Sequence, residues 1–326
     1  PVEYPQLLGC VDTGSNAIRF VIAEFHGPTR FTSLAYERVP IRLGHQVFLN
    51  GRLALDSMDA TVAAFARFRA MLDEHGVQRF RAVATSAVRE AENGAALVGR
   101  IQREAGIDLE VIGGSEEARL VHTAVASRID LSGGQWILCD VGGGSVEVSL
   151  VDDVGMLWAE SHTMGSVRLL EVLSGSRDDP GRFQRLLTEY VNVLSLPSPA
   201  AYVKPQGFIA TGGNIEALAD LTGTTPGADG VARLSLADLR SAIELLSPLS
   251  YRDKVERHGL RNDRADVILP AAMVYLRVAE LAGVDTIHVP HVGVKEGILL
   301  DIMDDLAAHR SHEERQARQL TSAAVA

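Results

Sequence analysis

Two cysteines in 326 residues leave no room for a disulfide framework or a cysteine-built zinc site. Cys10 and Cys139 each close an apolar run, where a small buried strand residue is expected rather than a cross-link, and a reducing compartment fits. Positive charge is also short: 31 Lys and Arg against 42 Asp and Glu leave a net charge of −11. General nucleic-acid binders carry the opposite excess to displace counterions, so this balance argues against one, and an anionic substrate would need a local basic pocket. No apolar run reaches membrane-spanning length, since the most apolar stretch, Val267 to Val284, is interrupted by Arg277 and Glu280. The N-terminal segment, with Glu3 and Pro5, lacks the form of a signal peptide; the expectation is a cytoplasmic protein with no membrane partner. GxxxxGK(S/T), GxSxG and HExxH are missing, and the HxxH of His288 and His291 reads as a polar turn beside a strand end.

What the chain does have is one hairpin written twice, as LLGCVDTGSNAIRFVI (Leu7 to Ile22) and WILCDVGGGSVEVSLV (Trp136 to Val151). In each copy an apolar run ends in a carboxylate, Asp12 or Asp140, two positions before Gly14 or Gly142. A second strand follows with period-2 alternation: Ile18, Phe20 and Ile22 against Arg19 and Val21, then Val146, Val148 and Leu150 against Glu147 and Ser149. Small residues let the backbone approach a ligand, so the N–H groups of Gly14-Ser15-Asn16 and Gly142-Gly143-Gly144-Ser145 can converge on phosphate oxygens. A carboxylate tolerates a phosphate beside it only across a cation or its water shell, so the pair points to a magnesium-type ion. A tight hairpin with no ligand uses the same residue types, but two matching copies are hard to reach by chance.

The length suits two domains of about 150 residues, and 46% apolar with 22% charged residues is ordinary globular composition. The pattern predicts a third strand over Thr32 to Arg42 and a helix over Leu55 to His75 closed by Gly76. Strand and helix then alternate: Phe80 to Ala84, a helix over Val88 to Ala105, Leu109 to Ile112, and a helix over Glu116 to Arg128. Ser132-Gly133-Gly134 marks a boundary before the second hairpin. Beyond it come helices over Ser166 to Leu173 and Phe183 to Leu194 and a strand over Phe208 to Ala210 leading into Thr211-Gly212-Gly213-Asn214 and then a helix. Helices over Leu236 to Leu246 and Arg264 to Leu281, a strand over Thr286 to Val289 and a helix over Gly293 to His309 complete the series. The tail from Arg310 carries no packing signal and is expected to fray.

The runs DTGSN (Asp12 to Asn16), ATSAVREAENG (Ala84 to Gly94), GGSEEARL (Gly113 to Leu120), DVGGGSVEV (Asp140 to Val148) and ATGGN (Ala210 to Asn214) resemble the exopolyphosphatase and guanosine pentaphosphate phosphohydrolase (Ppx/GppA) family. IRLG (Ile41 to Gly44), MGSVRL (Met164 to Leu169), RADVILPA (Arg264 to Ala271) and GVKEGIL (Gly293 to Leu299) extend the likeness over nearly the whole chain. The resemblance implies an α/β protein of two ribonuclease-H-like domains, the actin-like ATPase fold, facing an interdomain cleft. It divides the chain into residues 1–128 and 129–295, with helix 296–309 packing back on the first domain and 310–326 as a tail.

The activity it implies is metal-dependent release of terminal orthophosphate from linear polyphosphate, with guanosine pentaphosphate (pppGpp), a stringent-response nucleotide, as the alternative substrate. It marks Glu117 as catalytic. It gives Asp140 and Glu147 to Mg2+ or another divalent cation, with Asp12 as the matching carboxylate on the facing domain. Gly14, Ser15, Asn16, Arg89, Gly142, Gly143, Gly144, Ser145, Gly212, Gly213 and Asn214 would hold phosphate. From the residues alone, Ser115 can cap a helix whose first turn carries Glu116 and Glu117, a placing that also serves purely structural carboxylates. Arg19, Arg42 and Arg168 are weaker phosphate candidates. Lys295 stands where arginine is common, keeping the charge without the planar fork, and Ala271-Ala272 replaces a frequent glycine. The run Arg252, Lys254, Arg257, His258, Arg261 and Arg264 reads as a solvated face or a landing surface for a polyanion. The long members' further helical domains are not in this sequence, so a loose hold on long polymers is expected. A homodimer is left open. A phosphotransferase of the same superfamily and a non-catalytic actin-like module are the rival readings; Glu117 beside both loops favours catalysis, and the motif set favours water as acceptor.

Overall fold

The computed structural model describes residues 2–176, 179–197 and 204–325. The first repeat forms β1 (Gln6–Thr13) and β2 (Ile18–Phe25), antiparallel, with Asp12 opposite Arg19. β3 (Phe31–Val39) adds antiparallel to β2. After α1 (Gly44–Asn50) and α2 (Leu55–Glu74), β4 (Arg79–Ala84) returns parallel to β1. Two helices, α3 (Ser86–Glu90) and α4 (Gly94–Ala105), lead to β5 (Leu109–Val111), parallel to β4, and then to α5 (Gly114–Ala126). The sheet order is β3-β2-β1-β4-β5.

The second repeat restarts the pattern. β6 (Trp136–Val141) and β7 (Val146–Val151) pair with Asp140 opposite Glu147, and β8 (Met156–His162) extends the meander. α6 (Ser166–Val172) and α7 (Pro180–Val191) precede β9 (Gly207–Thr211), which is parallel to β6. The chain continues through α8 (Gly213–Leu221), β10 (Ala232–Ser235), α9 (Leu236–Leu246), α10 (Tyr251–Glu256), α11 (Ile268–Ala282), β11 (Thr286–Val289) and α12 (Val294–Val325). The order β10-β11-β9-β6-β7-β8 is the first sheet's plan with one antiparallel strand added at the edge. These are the two ribonuclease-H-like domains of the expected α/β fold.

Both central strands are buried along the residues that reach the cleft, because helices cover both sheet faces. Leu8 and Cys10 of β1, Leu120 and Val121 of α5, and Ile298 and Leu299 of α12 share one core, so the last helix packs on the first sheet. Gly297 permits this. A Cβ there would lie 2.0 Å from the Leu120 carbonyl oxygen of α5.

Two predicted helices differ. Val88 to Ala105 is broken over residues 91–93, where the Asn93 amide bonds both the N–H and the C=O of Leu53 (2.8 and 3.0 Å) in place of a helical ladder. The helix predicted from Arg264 starts at Ile268 instead, and residues 262–267 form turns tied to the facing domain. The short elements α1, β8, β10 and α10 were not anticipated by the pattern.

Candidate active site

The hairpin turns face each other at the cleft. In each, one N–H closes the turn: Gly14 donates to the Ala17 carbonyl at 3.1 Å and Gly142 to that of Ser145 at 3.0 Å. Ser15, Asn16 and Gly143 then keep backbone N–H groups with no acceptor among the described residues. The turns are in contact, since a Cβ on Gly143 would lie 2.9 Å from Ser15 Cβ and 3.1 Å from the Asn16 nitrogen. No larger residue fits at 143 without parting them. Gly144 is small for another reason: a Cβ there would strike Ser86 Oγ and the Phe48 ring.

α5 carries the decisive carboxylate across the cleft. Gly113, not Ser115, is its N-cap, and Gly114 lets the helix start close to β8, where a Cβ would sit 2.6 Å from Ser161 Cβ. Glu116 and Glu117 therefore point to different sides. Hydrogen bonds from Arg119 and Arg81 hold Glu116 down to about 2. Glu117 is only 4% exposed and has one carboxylate oxygen within 4.8 Å of an oxygen from each of Asp140 and Glu147. Burial, then the charges of Glu147 and Asp140, push its pKa well above the ordinary value, against the opposing charge of Arg89. Burial and Asp140 raise Glu147 to about 7.

Asp140 is anchored by Thr211 Oγ1 at 2.5 Å and Glu147 by Ser161 Oγ at 2.8 Å. Oε2 of Glu117 and Oε2 of Glu147 are buried without a donor among the described residues. Hard, buried oxygens converging from three residues, with orphaned atoms on Glu117 and Glu147, fit a divalent cation. Asp12 lies outside this trio; its Oδ2 takes Arg19 Nη1 at 3.3 Å. The repeat explains the asymmetry. Register places Arg19 in the first hairpin where Glu147 stands in the second, so one copy neutralises its aspartate while the other doubles it.

The remaining predicted residues divide. Asp12, Gly14, Ser15, Asn16, Gly142, Gly143, Ser145, Gly212, Gly213 and Asn214 line the cavity together with Glu117 and Asp140. Gly212 has φ +100°, which favours glycine, and starts the turn into α8, whose N-terminus faces the same space. Asn16 has its side chain committed, donating to the Asp263 carbonyl at 3.0 Å and accepting from Arg42 Nε at 2.8 Å. Ser15 Oγ bonds Ser86 Oγ (2.9 Å) and accepts from the Ala87 N–H (3.2 Å), so it braces α3. Arg89 is not in the lining; its Nη1 donates to the Ile112 carbonyl at 2.7 Å.

Sequence reasoning named Arg264 only within a basic run and did not place it in the site. Arg264 is 6% exposed, lines the cavity, and has Nε and Nη1 unpartnered among the described residues. Burial, with Arg261 and Arg19 nearby, lowers its pKa to about 10. Gly213 makes room for it, since a Cβ there would lie 2.6 Å from the guanidinium. Only an assignment of residues 262–267 to a turn could have separated Arg264 from its basic neighbours. Arg252 pairs with Glu256 (2.8 Å), Arg257 with Asp253 (3.6 Å), and Lys254 is buried, while Arg261 and Arg264 reach the cavity. Arg19, Arg38 and Lys295 also line it.

A model of the Ppx/GppA phosphatase family matches residues 21–306. Over 308 residues the chain is 29% identical to exopolyphosphatase 1 of Mycobacterium tuberculosis, covering 92% of this chain and 89% of that one. Exopolyphosphatase 2 of the same organism is 29% identical over 328 residues, covering 90% and 98%. Among solved structures, an exopolyphosphatase from Cytophaga hutchinsonii is similar with a TM-score of 0.77 at 26% identity, covering 92% of this chain and 98% of that one. The Aquifex aeolicus member of the Ppx/GppA family is similar with a TM-score of 0.75 at 25% identity, covering 91% and 97%. Because the family match runs from β2 through both sheets into α12, this chain belongs to the Ppx/GppA phosphatase family and is a hydrolase of phosphoanhydride bonds.

Proposed function

We propose that the protein is a cytoplasmic exopolyphosphatase that releases terminal orthophosphate from linear inorganic polyphosphate. The observation that carries this is one cavity lined both by carboxylates, Asp12, Glu117 and Asp140, and by four guanidinium groups, Arg19, Arg38, Arg261 and Arg264. Repeated negative charge along a polymer matches the arginines, and hydrolysis needs the carboxylates. The names of the two mycobacterial relatives support the same substrate.

Asp140 and Glu147 would hold a magnesium ion, which when bound neutralises charge on the phosphate oxygens. Asp12, paired with Arg19 on the facing hairpin, lines the cavity outside that set. The free N–H groups of Ser15, Asn16 and Gly143 and the guanidinium of Arg264 bind and orient the reacting phosphate. Glu117 orients the attacking water and accepts its proton as the new O–P bond forms and the bridging O–P bond breaks, the shortened chain leaving. Residues 1–128 and 129–295 are taken as the two domains that close on the substrate.

Hydrolysis of pppGpp is the alternative, favoured by Tyr36, which lines the cavity mouth with half its surface exposed and could stack a purine. Orthophosphate release measured in parallel from polyphosphate, pppGpp and ATP tests the choice. Polyphosphate is expected to give the highest kcat/KM; a preference for pppGpp that disappears in Tyr36→Ala would replace the reading.

A further inference from the structure

The cavity adjoins a second groove. Arg38 and Arg261 line both, and Pro40, Leu260, Asn262 and Asp263 complete the groove. Asp263 sits between the two arginines: Oδ2 accepts from Arg38 Nη2, and Oδ1 lies 3.5 Å from Arg261 Nε. Its backbone is fixed separately, because its carbonyl accepts from Asn16 Nδ2 and Arg42 Nη2, each at 3.0 Å. The carboxylate can therefore turn away while its loop stays in place. Arg38 keeps a buried Nε with no acceptor among the described residues, so its donor capacity exceeds what Asp263 supplies.

We infer that this groove is the path by which phosphates beyond the reacting end leave the cavity, and that Asp263 is a gate, its carboxylate standing in for a phosphate between Arg38 and Arg261. The inference rests on the polyphosphate reading and deepens it. A carboxylate and a phosphate compete for the same guanidinium fork, so an entering chain takes both arginines only by displacing Asp263. The displaced carboxylate remains beside the path and repels the next phosphates. On this reading a tripolyphosphate is held by the two hairpin turns and Arg264 and does not reach Asp263, which lines the second groove alone.

Calorimetric binding of tripolyphosphate and of long-chain polyphosphate decides this, measured at fixed magnesium in a Glu117→Gln background to prevent turnover. Adding Asp263→Asn should tighten the long chain about tenfold and change tripolyphosphate by less than about twofold, since one freed charge contact carries about that factor. Adding Arg261→Gln should weaken the long chain more than the short one. Equal shifts for both lengths, or none, would overturn the gate. Thermal melts of each variant confirm folding, and Arg261→Gln alters a half-exposed side chain, so the second arm survives failure of the first. Phosphate release by protein retaining Glu117 tests the reaction separately: length-dependent binding without release would keep the gate and remove the activity.

Discussion

Two adjacent glutamates show how much one residue of helical phase decides. Glu116 is an ion-pair acceptor held to about 2, while Glu117 is a buried acid whose pKa is driven up. Glu117→Gln should lower kcat by about two orders of magnitude or more, the usual loss on removing a positioned acid–base group. It should not lower the melting temperature, because it removes a buried carboxylate that has no donor for Oε2 among the described residues. Wild-type turnover with an unchanged fold would take Glu117 out of the mechanism. The raised pKa of Glu147 fixes a sign for pH. The folded protein keeps a proton to about 7 that the unfolded chain loses near 4.5, so stability falls as pH rises across that window. Magnesium favours the ionised form. It should raise the melting temperature more at about pH 8 than at about pH 5.5; an equal gain at both, read by scanning fluorimetry, would contradict a metal held by Asp140 and Glu147. Asp12, Asp140, Glu147 and Glu117 were legible as motif residues. Arg264 was not, because a basic run gives no sign of which side chain turns inward.

At the scale of elements, the repeated hairpin was the most legible feature, since period-2 alternation around a small-residue turn has few other solutions. Breaks inside helical patterns were not legible. The interruption at residues 91–93 depends on Asn93 reaching Leu53, and the late start of α11 depends on contacts from Asn16 and Arg42, all distant in sequence. Gly297 gives the clearest test of element packing. Gly297→Ala would place a methyl 2.0 Å from the Leu120 carbonyl oxygen and push α12 off α5, costing about 1–3 kcal/mol as overpacking does. Denaturant unfolding checks this; a stabilised variant, as helix propensity alone would give, would show that the two helices do not meet there.

Across the whole molecule, side-chain bridges close the cleft. Arg42 places both Nη atoms on Asp266 at 2.7 and 2.9 Å, Arg168 forks Glu90, and His45 meets the buried Glu171 at 2.7 Å. Arg42→Lys keeps the charge but loses the fork that ties Asn16 and the Asp263 carbonyl together, so kcat/KM should fall about tenfold through misplacement of Arg264. Full activity in this variant would separate closure from catalysis. The net charge of −11 sets the other large-scale expectation. Beyond the arginines of the cavity and groove a polymer meets repulsion, so short polyphosphates should be cleaved at least as efficiently as long ones, leaving ladders of intermediates on a gel; long chains vanishing to orthophosphate without ladders would show processive holding. The central claim is that water, oriented by Glu117, attacks the terminal phosphorus. Turnover of polyphosphate in 18O-labelled water tests it most directly, by mass spectrometry of both products. One labelled oxygen in the released orthophosphate and none in the shortened chain is the result expected; label in the shortened chain, or transfer of phosphate to an acceptor other than water, would contradict it.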